Sequence, residues 1–201
     1  RLEAFKYICD QTQIKTIMVS PDLVKMLCDL KKNYNLKQLT TAILFDMTTN
    51  CDTEKELEKL KNAGFTAYSF TKDFLKDNDN IKDSDLEISK PETIMTICYT
   101  SGTTGNPKGV MLSQRNLISV LETVIRDSSV PLDEYGTHIS FLPLGHIFER
   151  MVISGFMGVA AKVGFISGSV KTTLMEDMSL LGPTLLFVVP KVLQAIRTSL
   201  F

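Results

Sequence analysis

Residues 99–109 read Tyr99-Thr100-Ser101-Gly102-Thr103-Thr104-Gly105-Asn106-Pro107-Lys108-Gly109, and an apolar, β-prone run at residues 94–99 leads directly into them. A strand that ends in glycines and hydroxyl side chains can direct backbone N–H groups, O–H donors and a lysine charge to one point. These groups predict a grip for the phosphates of a polyphosphate ligand. The candidate binding residues are Thr100, Ser101, Gly102, Thr103, Thr104, Gly105 and Lys108.

Two better-known phosphate-binding patterns do not fit this stretch. In a P-loop the lysine precedes a serine or threonine and the loop opens a helix. Here Lys108 precedes Gly109, and a short apolar run at residues 110–112 comes before Ser113. The dinucleotide pattern G-x-G-x-x-G is absent as well. The alternative is a glycine-rich surface turn without a binding function, but such a turn does not require several hydroxyls and a lysine together.

The composition is that of a globular protein without a strong overall charge. The chain has 201 residues, enough to bury a substantial core, and 44% of them are hydrophobic and 22% charged. The net charge of −1 gives no field that would attract nucleic acid, and no base-reading motif occurs. We therefore expect no nucleic-acid partner.

Cysteines, histidines and apolar stretches limit the options for metals and membranes. The cysteines at positions 9, 28, 51 and 98 have no C-x-x-C spacing, and with only two histidines a metal site built from side chains of this chain is not expected. Free thiols favour a reducing, intracellular compartment. The longest charge-free apolar stretches, residues 151–161 and 178–190, fall short of the roughly 20 residues that span a bilayer.

Strands and helices are predicted to alternate along the chain. Apolar strand-like runs lie at residues 14–19, 39–45, 65–70, 94–99, 110–112, 137–142, 162–166 and 185–189. This order predicts an α/β fold with mostly parallel sheets flanked by helices on both faces. A polar, acidic stretch at residues 77–91 predicts a division into a first α/β portion, residues 1–90, and a second, residues 91–201.

Helix starts are predicted at residues that cap the first turn. They are Ser20 with Pro21, Thr53 with Glu56, Ser113, Thr173 with Glu176, and Pro190, and the glycines Gly64 and Gly182 are predicted to end two helices. Apolar stripes at helical spacing predict buried faces at Leu23, Val24, Leu27 and Leu30, and at Leu117, Val120, Leu121, Val124 and Ile125.

A second motif follows the glycine-rich one and reads Phe141-Leu142-Pro143-Leu144-Gly145-His146-Ile147-Phe148-Glu149-Arg150. Residues 99–111 resemble the phosphate-loop signature of the adenylate-forming enzymes, which include acyl-CoA synthetases, peptide-synthetase adenylation domains and luciferases. The second motif resembles the long-chain (fatty) acyl-CoA synthetase branch, as does the ending Gly182-Pro183-Thr184 to Val189-Pro190-Lys191-Val192. The resemblance covers residues 94–197, whereas the first 80 residues carry no diagnostic motif.

The resemblance implies a two-step reaction and its co-substrates. A fatty carboxylate would attack ATP to give an acyl-adenylate and pyrophosphate, and coenzyme A would then displace AMP. Magnesium is implied as well, with ligand residues outside these 201 residues. The family also implies an intracellular protein, either cytoplasmic or attached at an organelle membrane such as the endoplasmic reticulum.

His146 is the catalytic residue that the resemblance suggests. Pro143 ends a strand where ligands of parallel sheets bind, and His146 stands at the mouth of the next helix. Its expected role is to orient the carboxylate and line the acyl pocket, because a carboxylate needs no base. A helix-start histidine without such a role is the plain alternative. Phe148, Glu149 and Arg150 are weaker candidates, and His138 is interpreted as a core histidine.

Two further expectations concern the acyl chain and the length of the protein. An acyl tunnel is expected along the helix from residue 147 to 161, where small side chains leave room at Ser154, Gly155, Gly158 and Ala160. The family's later motifs do not occur in these 201 residues, and no methionine precedes Arg1. We expect a piece of the large N-terminal domain with little activity alone. An adenylate-forming ligase for an aryl or amino acid, and a non-catalytic binding member, remain alternatives.

Overall fold

The computed structural model describes residues 2–47, 51–75, 87–100, 106–126 and 132–200. The chain forms two compact units, one containing residues 1–87 and 101–108 and the other residues 88–100 and 109–201. Each unit combines strands with helices, so the predicted α/β class is confirmed.

The first unit is built on a three-stranded parallel sheet. Its strands are β1 (Thr16–Val19), β2 (Thr41–Leu44) and β3 (Thr66–Ser69), in the order β1-β2-β3. They align in register, with Thr16 beside Thr41 and Thr41 beside Thr66. The helices of this unit are α1 (Leu2–Thr12), α2 (Val24–Tyr34) and α3 (Thr53–Asn62), and a 3₁₀ turn (Pro21–Leu23) precedes α2.

An apolar core holds the helices of the first unit on its sheet. The helical spacing of Val24, Leu27 and Leu30 buries all three on one face of α2, as predicted, whereas Leu23 lies in the 3₁₀ turn and is exposed. Burial of one such side chain stabilises the fold by about 1.5–3 kcal/mol. The other buried apolar residues include Cys9, Leu36, Leu39, Ala42, Leu44, Leu57 and Leu60.

Asp46, just beyond β2, ties three segments of the first unit together. The residue is only 8% exposed. It accepts hydrogen bonds from the hydroxyls of Ser69 (2.6 Å), Thr71 (2.9 Å) and Thr53 (3.2 Å), and from the backbone N–H of Thr71 (3.0 Å). Burial alone would raise the pKa of Asp46, but these hydrogen bonds outweigh it and lower the pKa to about 2. The ionised carboxylate is therefore a structural element of this unit.

Helix α1 was not predicted from the sequence, and two local expectations for the first unit are wrong. Helix α3 begins one residue earlier than the Thr53 cap predicts, because the Asp52 carboxylate accepts the N–H of Lys55 and becomes the N-cap. Ser20 precedes the 3₁₀ turn without forming a side-chain cap. The predicted end of α3 is confirmed by Gly64, whose positive φ of 83° suits glycine.

The second unit carries two pairs of strands. Strand β4 (Ile94–Thr100) pairs with β5 (Lys108–Ser113), and β6 (Thr137–Ser140) pairs in parallel with β7 (Lys162–Phe165). Its helices are α4 (Gln114–Arg126), α5 (Ile147–Gly158), α6 (Leu174–Leu181) and α7 (Pro190–Leu200). Because residues 101–107 are too few for a parallel crossover, β4 and β5 form an antiparallel hairpin.

Other expectations for the second unit have mixed outcomes. Ser113 caps α4, since its hydroxyl accepts the N–H of Asn116 at 3.3 Å. Thr173 precedes α6 but forms no side-chain cap. Residues 185–189 lie beside β6 without forming a strand; the N–H groups of Thr184 and Leu185 both donate to the Thr137 carbonyl. On α4, Val120 and Ile125 are exposed, so the predicted stripe is only partly covered.

Candidate functional site

Two residues of the predicted phosphate grip are described by the structure, and each lies at the end of one of two paired strands. Thr100 is the last residue of β4, and Lys108 is the first residue of β5. Both side chains are exposed. Ser101, Gly102, Thr103, Thr104 and Gly105 lie outside the described residues, so their role as phosphate donors stays a prediction.

Gly109 allows the two strands of the hairpin to approach closely. A Cβ atom on Gly109 would lie 2.8 Å from Cγ2 of Ile97 and 3.0 Å from Cζ of Tyr99. Any other residue would push these side chains of β4 away. The last glycine of the motif therefore allows the close packing of β5 against the side chains of β4.

His146 stands at the N-terminus of α5, as the sequence predicts. It is the N-cap residue, with extended backbone angles (φ −85°, ψ 133°), and its N–H donates to the Pro143 carbonyl at 2.9 Å. Its side chain is exposed and does not cap the helix. The imidazole therefore remains available to a ligand at the helix N-terminus, where the helix dipole favours negative charge.

Two contacts join the turn that carries His146 to strand β4. The Cys98 thiol donates to the carbonyl oxygen of Gly145 with an S···O distance of 3.4 Å. One helical turn after His146, the Nη1 atom of Arg150 donates to the Thr96 hydroxyl at 2.7 Å. Arg150 and His146 were predicted to lie on the same helix face, but the contacts with Cys98 and Thr96 of β4 were not predicted.

A buried polar pair lies beneath the same helix turn. His138 on β6 and Glu149 on α5 are both fully buried, and His138 Nε2 lies 3.3 Å from Glu149 Oε1. The His138 ring also contacts the rings of Phe156 and Phe187, with centroids 5.1 and 5.8 Å away. His138 is thus a core residue, as interpreted from the sequence. The sequence predicted only a favourable interaction of Glu149 with the helix dipole, and not its pairing with His138.

The chain is similar to known proteins along its whole length. A family model described as AMP-binding enzyme matches residues 1–200. The chain belongs to the AMP-binding enzyme family. It is 33% identical over 201 residues to fatty acyl-CoA synthetase B of Dictyostelium discoideum, covering 100% of this chain and 28% of that protein.

Other relatives of this AMP-binding enzyme are also named as acyl-CoA synthetases or fatty-acid–CoA ligases. It is 32% identical to long chain acyl-CoA synthetase 4 of Arabidopsis thaliana, with 98% of the chain and 29% of the relative covered. It is 31% identical to human long-chain-fatty-acid–CoA ligase 1, with 99% and 28% covered. The chain therefore spans less than a third of the length of these curated relatives.

Solved structures of adenylating enzymes share the fold. The adenylation domain of a carboxylate reductase from Mycobacterium chelonae superimposes with a TM-score of 0.80 at 22% identity, covering 98% of this chain and 31% of that one. The A-PCP didomain of carboxylic acid reductase from Segniliparus rugosus, solved in complex with AMP, gives a TM-score of 0.74 at 22% identity, covering 98% and 28%. At this identity the likeness establishes the fold alone.

Helix α5 of this AMP-binding enzyme borders two spaces. A small apolar pocket of about 80 Å³ is lined by Leu121, Val124, Leu132, Phe148, Met151, Val152, Gly155, Phe156 and Phe187. A more open groove of about 370 Å³ is lined by Met95, Thr96, Leu117, Leu144, Arg150, Ile153, Ser154 and Phe165. Of the small residues expected to line an acyl tunnel, Gly155 and Ser154 border these spaces, whereas a Cβ on Gly158 would meet no atom within 4 Å.

In the described ranges, no group of three or more His, Cys, Asp or Glu side chains could hold a metal ion. The described part of the chain also has no helix that is both long and apolar enough to cross a bilayer. The four cysteines are free, and burial raises the pKa of the Cys9 and Cys28 thiols, which keeps them protonated.

Proposed function

We propose that this chain is part of an ATP-dependent ligase that activates a long-chain fatty acid, first to an acyl-adenylate and then to an acyl-CoA thioester. The observation that carries the proposal is the attachment of the His146 turn to β4, the strand that ends at Thr100. The proposed carboxylate-orienting group is thereby attached to the strand that leads, along the sequence, into the predicted phosphate-binding residues. The similarity of the whole chain to fatty acyl-CoA synthetases supports the choice of substrate.

The proposed first step is a substitution at phosphorus. A carboxylate oxygen attacks the α-phosphorus of ATP, the bond from that phosphorus to the bridging oxygen breaks, and pyrophosphate leaves with the electron pair. In the second step the thiolate of coenzyme A attacks the acyl carbonyl carbon. The bond to the AMP oxygen breaks, so a thioester forms and AMP leaves.

The phosphate-binding segment would stabilise the leaving pyrophosphate. The hydroxyls of Thr100, Ser101, Thr103 and Thr104 can donate to the β- and γ-phosphate oxygens, and Gly102 and Gly105 allow the backbone to approach them. Lys108 adds a positive charge at the other end of the segment. Donors that bind the departing charge more tightly than the intact triphosphate lower the barrier.

His146 would hold the carboxylate for attack. The exposed imidazole at the N-terminus of α5 can donate to a carboxylate oxygen, and the helix dipole favours the negative charge there. The smaller pocket along α5, which includes Gly155, is lined by apolar side chains, which suits a hydrocarbon chain. This family uses magnesium with ATP. Among the described residues no group of side chains could hold a metal ion, so none of them is assigned a role in binding magnesium.

ATP–pyrophosphate exchange by the complete protein tests the proposal. We expect exchange with palmitate and none with benzoate or amino acids. Exchange with benzoate or an amino acid would replace the substrate, and no exchange with any acid would favour a non-catalytic member. We expect the 201-residue chain alone to show little or no thioester formation, because it spans under a third of its relatives.

We further propose that the complete protein acts inside the cell, in the cytoplasm or peripherally at an organelle membrane such as the endoplasmic reticulum. The free thiols of all four cysteines support a reducing compartment. Cell fractionation of the complete protein tests this, and recovery in a secreted fraction would contradict it.

A further inference from the structure

Two contacts bracket His146 and attach it to β4. Gly145, one residue before it, accepts the Cys98 thiol at 3.4 Å, and Arg150, four residues after it, donates to Thr96 at 2.7 Å. We call these four residues, Thr96, Cys98, Gly145 and Arg150, the clamp. Because the contacts lie on both sides of His146, neither its preceding turn nor its helix can shift along β4 without breaking one of them.

The clamp uses one face of β4, while the other face supports the hairpin. Successive side chains of a strand point to opposite faces, so Thr96 and Cys98 share a face. Ile97 and Tyr99 share the other face, where they approach Gly109 of β5. Cys98 lies two residues before Thr100, a separation of about 7 Å along an extended strand. The clamp thus lies close to Thr100, the last residue of β4.

Arg150 depends on Thr96 for its orientation. The side chain is half-buried, and its Nε atom is buried without a hydrogen-bond partner among the described residues. The bond from Nη1 to the Thr96 hydroxyl therefore fixes the planar guanidinium. Helix α5 places His146 and Arg150 one turn apart on the same face, so fixing Arg150 also fixes the start of the helix.

We infer that Arg150 is a positioning residue, which acts through Thr96 to hold His146 in a fixed position on β4, the strand that ends at Thr100. The inference rests on the proposed function, in which His146 orients a carboxylate and the segment holds ATP. In-line attack requires the reacting atoms to lie about 3–3.5 Å apart, and a misplacement of about 1 Å can slow a reaction about a hundredfold. The clamp therefore restricts movement of His146 relative to β4.

The test compares variants of the complete protein in ATP–pyrophosphate exchange with palmitate. Thr96→Val removes the acceptor hydroxyl without changing the shape of the side chain, and Arg150→Met removes the guanidinium but keeps a long side chain. We expect each to lower kcat by about 10- to 100-fold while KM for ATP stays within about twofold. Thr96→Ser keeps the hydroxyl and should restore most of the rate.

A double-variant cycle distinguishes action through Thr96 from direct action. If Arg150 works through Thr96, the double variant should be no slower than Arg150→Met alone. Thr66→Val, the same exchange at an exposed position of β3, serves as the matched control and should keep the wild-type rate. Urea unfolding of each variant shows whether a loss of rate reflects a loss of folding.

Three results would overturn the inference. Wild-type rates in both single variants would show that the clamp is irrelevant to catalysis. A slow Arg150→Met beside a normal Thr96→Val would assign Arg150 a direct contact with substrate. Multiplying losses in the double variant would show that the two residues act independently. These results differ from failure of the proposed function itself, in which the wild-type protein shows no exchange with any acid.

Discussion

Replacement of Asp46 by asparagine should weaken the first unit by an amount that the structure defines. The pKa of Asp46 is lowered from 3.8 to about 2 by hydrogen bonds from Ser69 and Thr71 that outweigh the effect of burial. One pKa unit corresponds to 1.36 kcal/mol, so the ionised carboxylate contributes about 2.5 kcal/mol to the free energy of unfolding near neutral pH. Asparagine lacks the charge and one acceptor oxygen, so Asp46→Asn should lose most of this stability.

The contribution of Asp46 has a defined dependence on pH. Because its pKa is lower in the folded chain than in the unfolded chain, the stabilisation is complete well above pH 3.8 and disappears as the pH falls towards 2. The difference between wild type and Asp46→Asn should therefore be constant from pH 7 to pH 5. It should shrink by about 1 kcal/mol between pH 5 and pH 3.

Urea unfolding of the 201-residue chain, followed by circular dichroism at several pH values, measures this difference. Asp52→Asn provides the matched control, because asparagine caps helices about as well as aspartate and the N-cap bond to Lys55 can be kept. The reasoning is refuted if Asp46→Asn unfolds at the same urea concentration as wild type. It is also refuted if the two aspartate variants lose equal stability, or if the loss for Asp46→Asn does not change with pH.

Three further predictions concern the complete protein in ATP–pyrophosphate exchange. Lys108→Met should lower kcat by about 10²- to 10³-fold, as loss of one charge-stabilising donor does, and a wild-type rate would contradict the phosphate grip. His146→Ala should lower kcat with palmitate by about 10²-fold with little change in KM for ATP; a matching rise in that KM would argue against carboxylate orientation. Gly155→Leu should shift the substrate preference towards shorter fatty acids. Gly158→Ala should leave the preference unchanged, because a Cβ at Gly158 meets no atom within 4 Å. An unchanged preference in Gly155→Leu would show that Gly155 does not line the acyl path.

Features that depend on local sequence could be predicted well. The apolar stripe of Val24, Leu27 and Leu30 identified the buried face of α2, because the helical period alone decides which side chains share a face. Gly64 marked the end of α3, because a positive φ suits glycine. The position of His146 at the start of α5 followed from Pro143, which ends the preceding extended run.

Features that depend on a partner elsewhere in the chain could not be predicted. The apolar run at residues 185–189 indicates burial, but a strand also needs a neighbour whose backbone groups are free to pair, and here only Thr184 and Leu185 find a carbonyl. The hairpin of β4 and β5 was missed for a related reason. Continuous apolar runs suggest parallel strands, yet the short connection between these two excludes a parallel crossover.

In the candidate site as well, the motif residues could be named from the sequence, whereas the contacts that hold them in place could not. Thr100, Lys108 and His146 could be named as candidates from the sequence because the residue types needed for phosphate and carboxylate binding lie close together in two short motifs. Their supports are less visible, since Cys98 donates to Gly145 and Arg150 to Thr96 across gaps of 47 and 54 residues. An ordinary cysteine and an ordinary threonine on an apolar strand give no signal of such pairing. The geometry that would bring a carboxylate to ATP therefore depends on residues whose types alone suggest no chemistry.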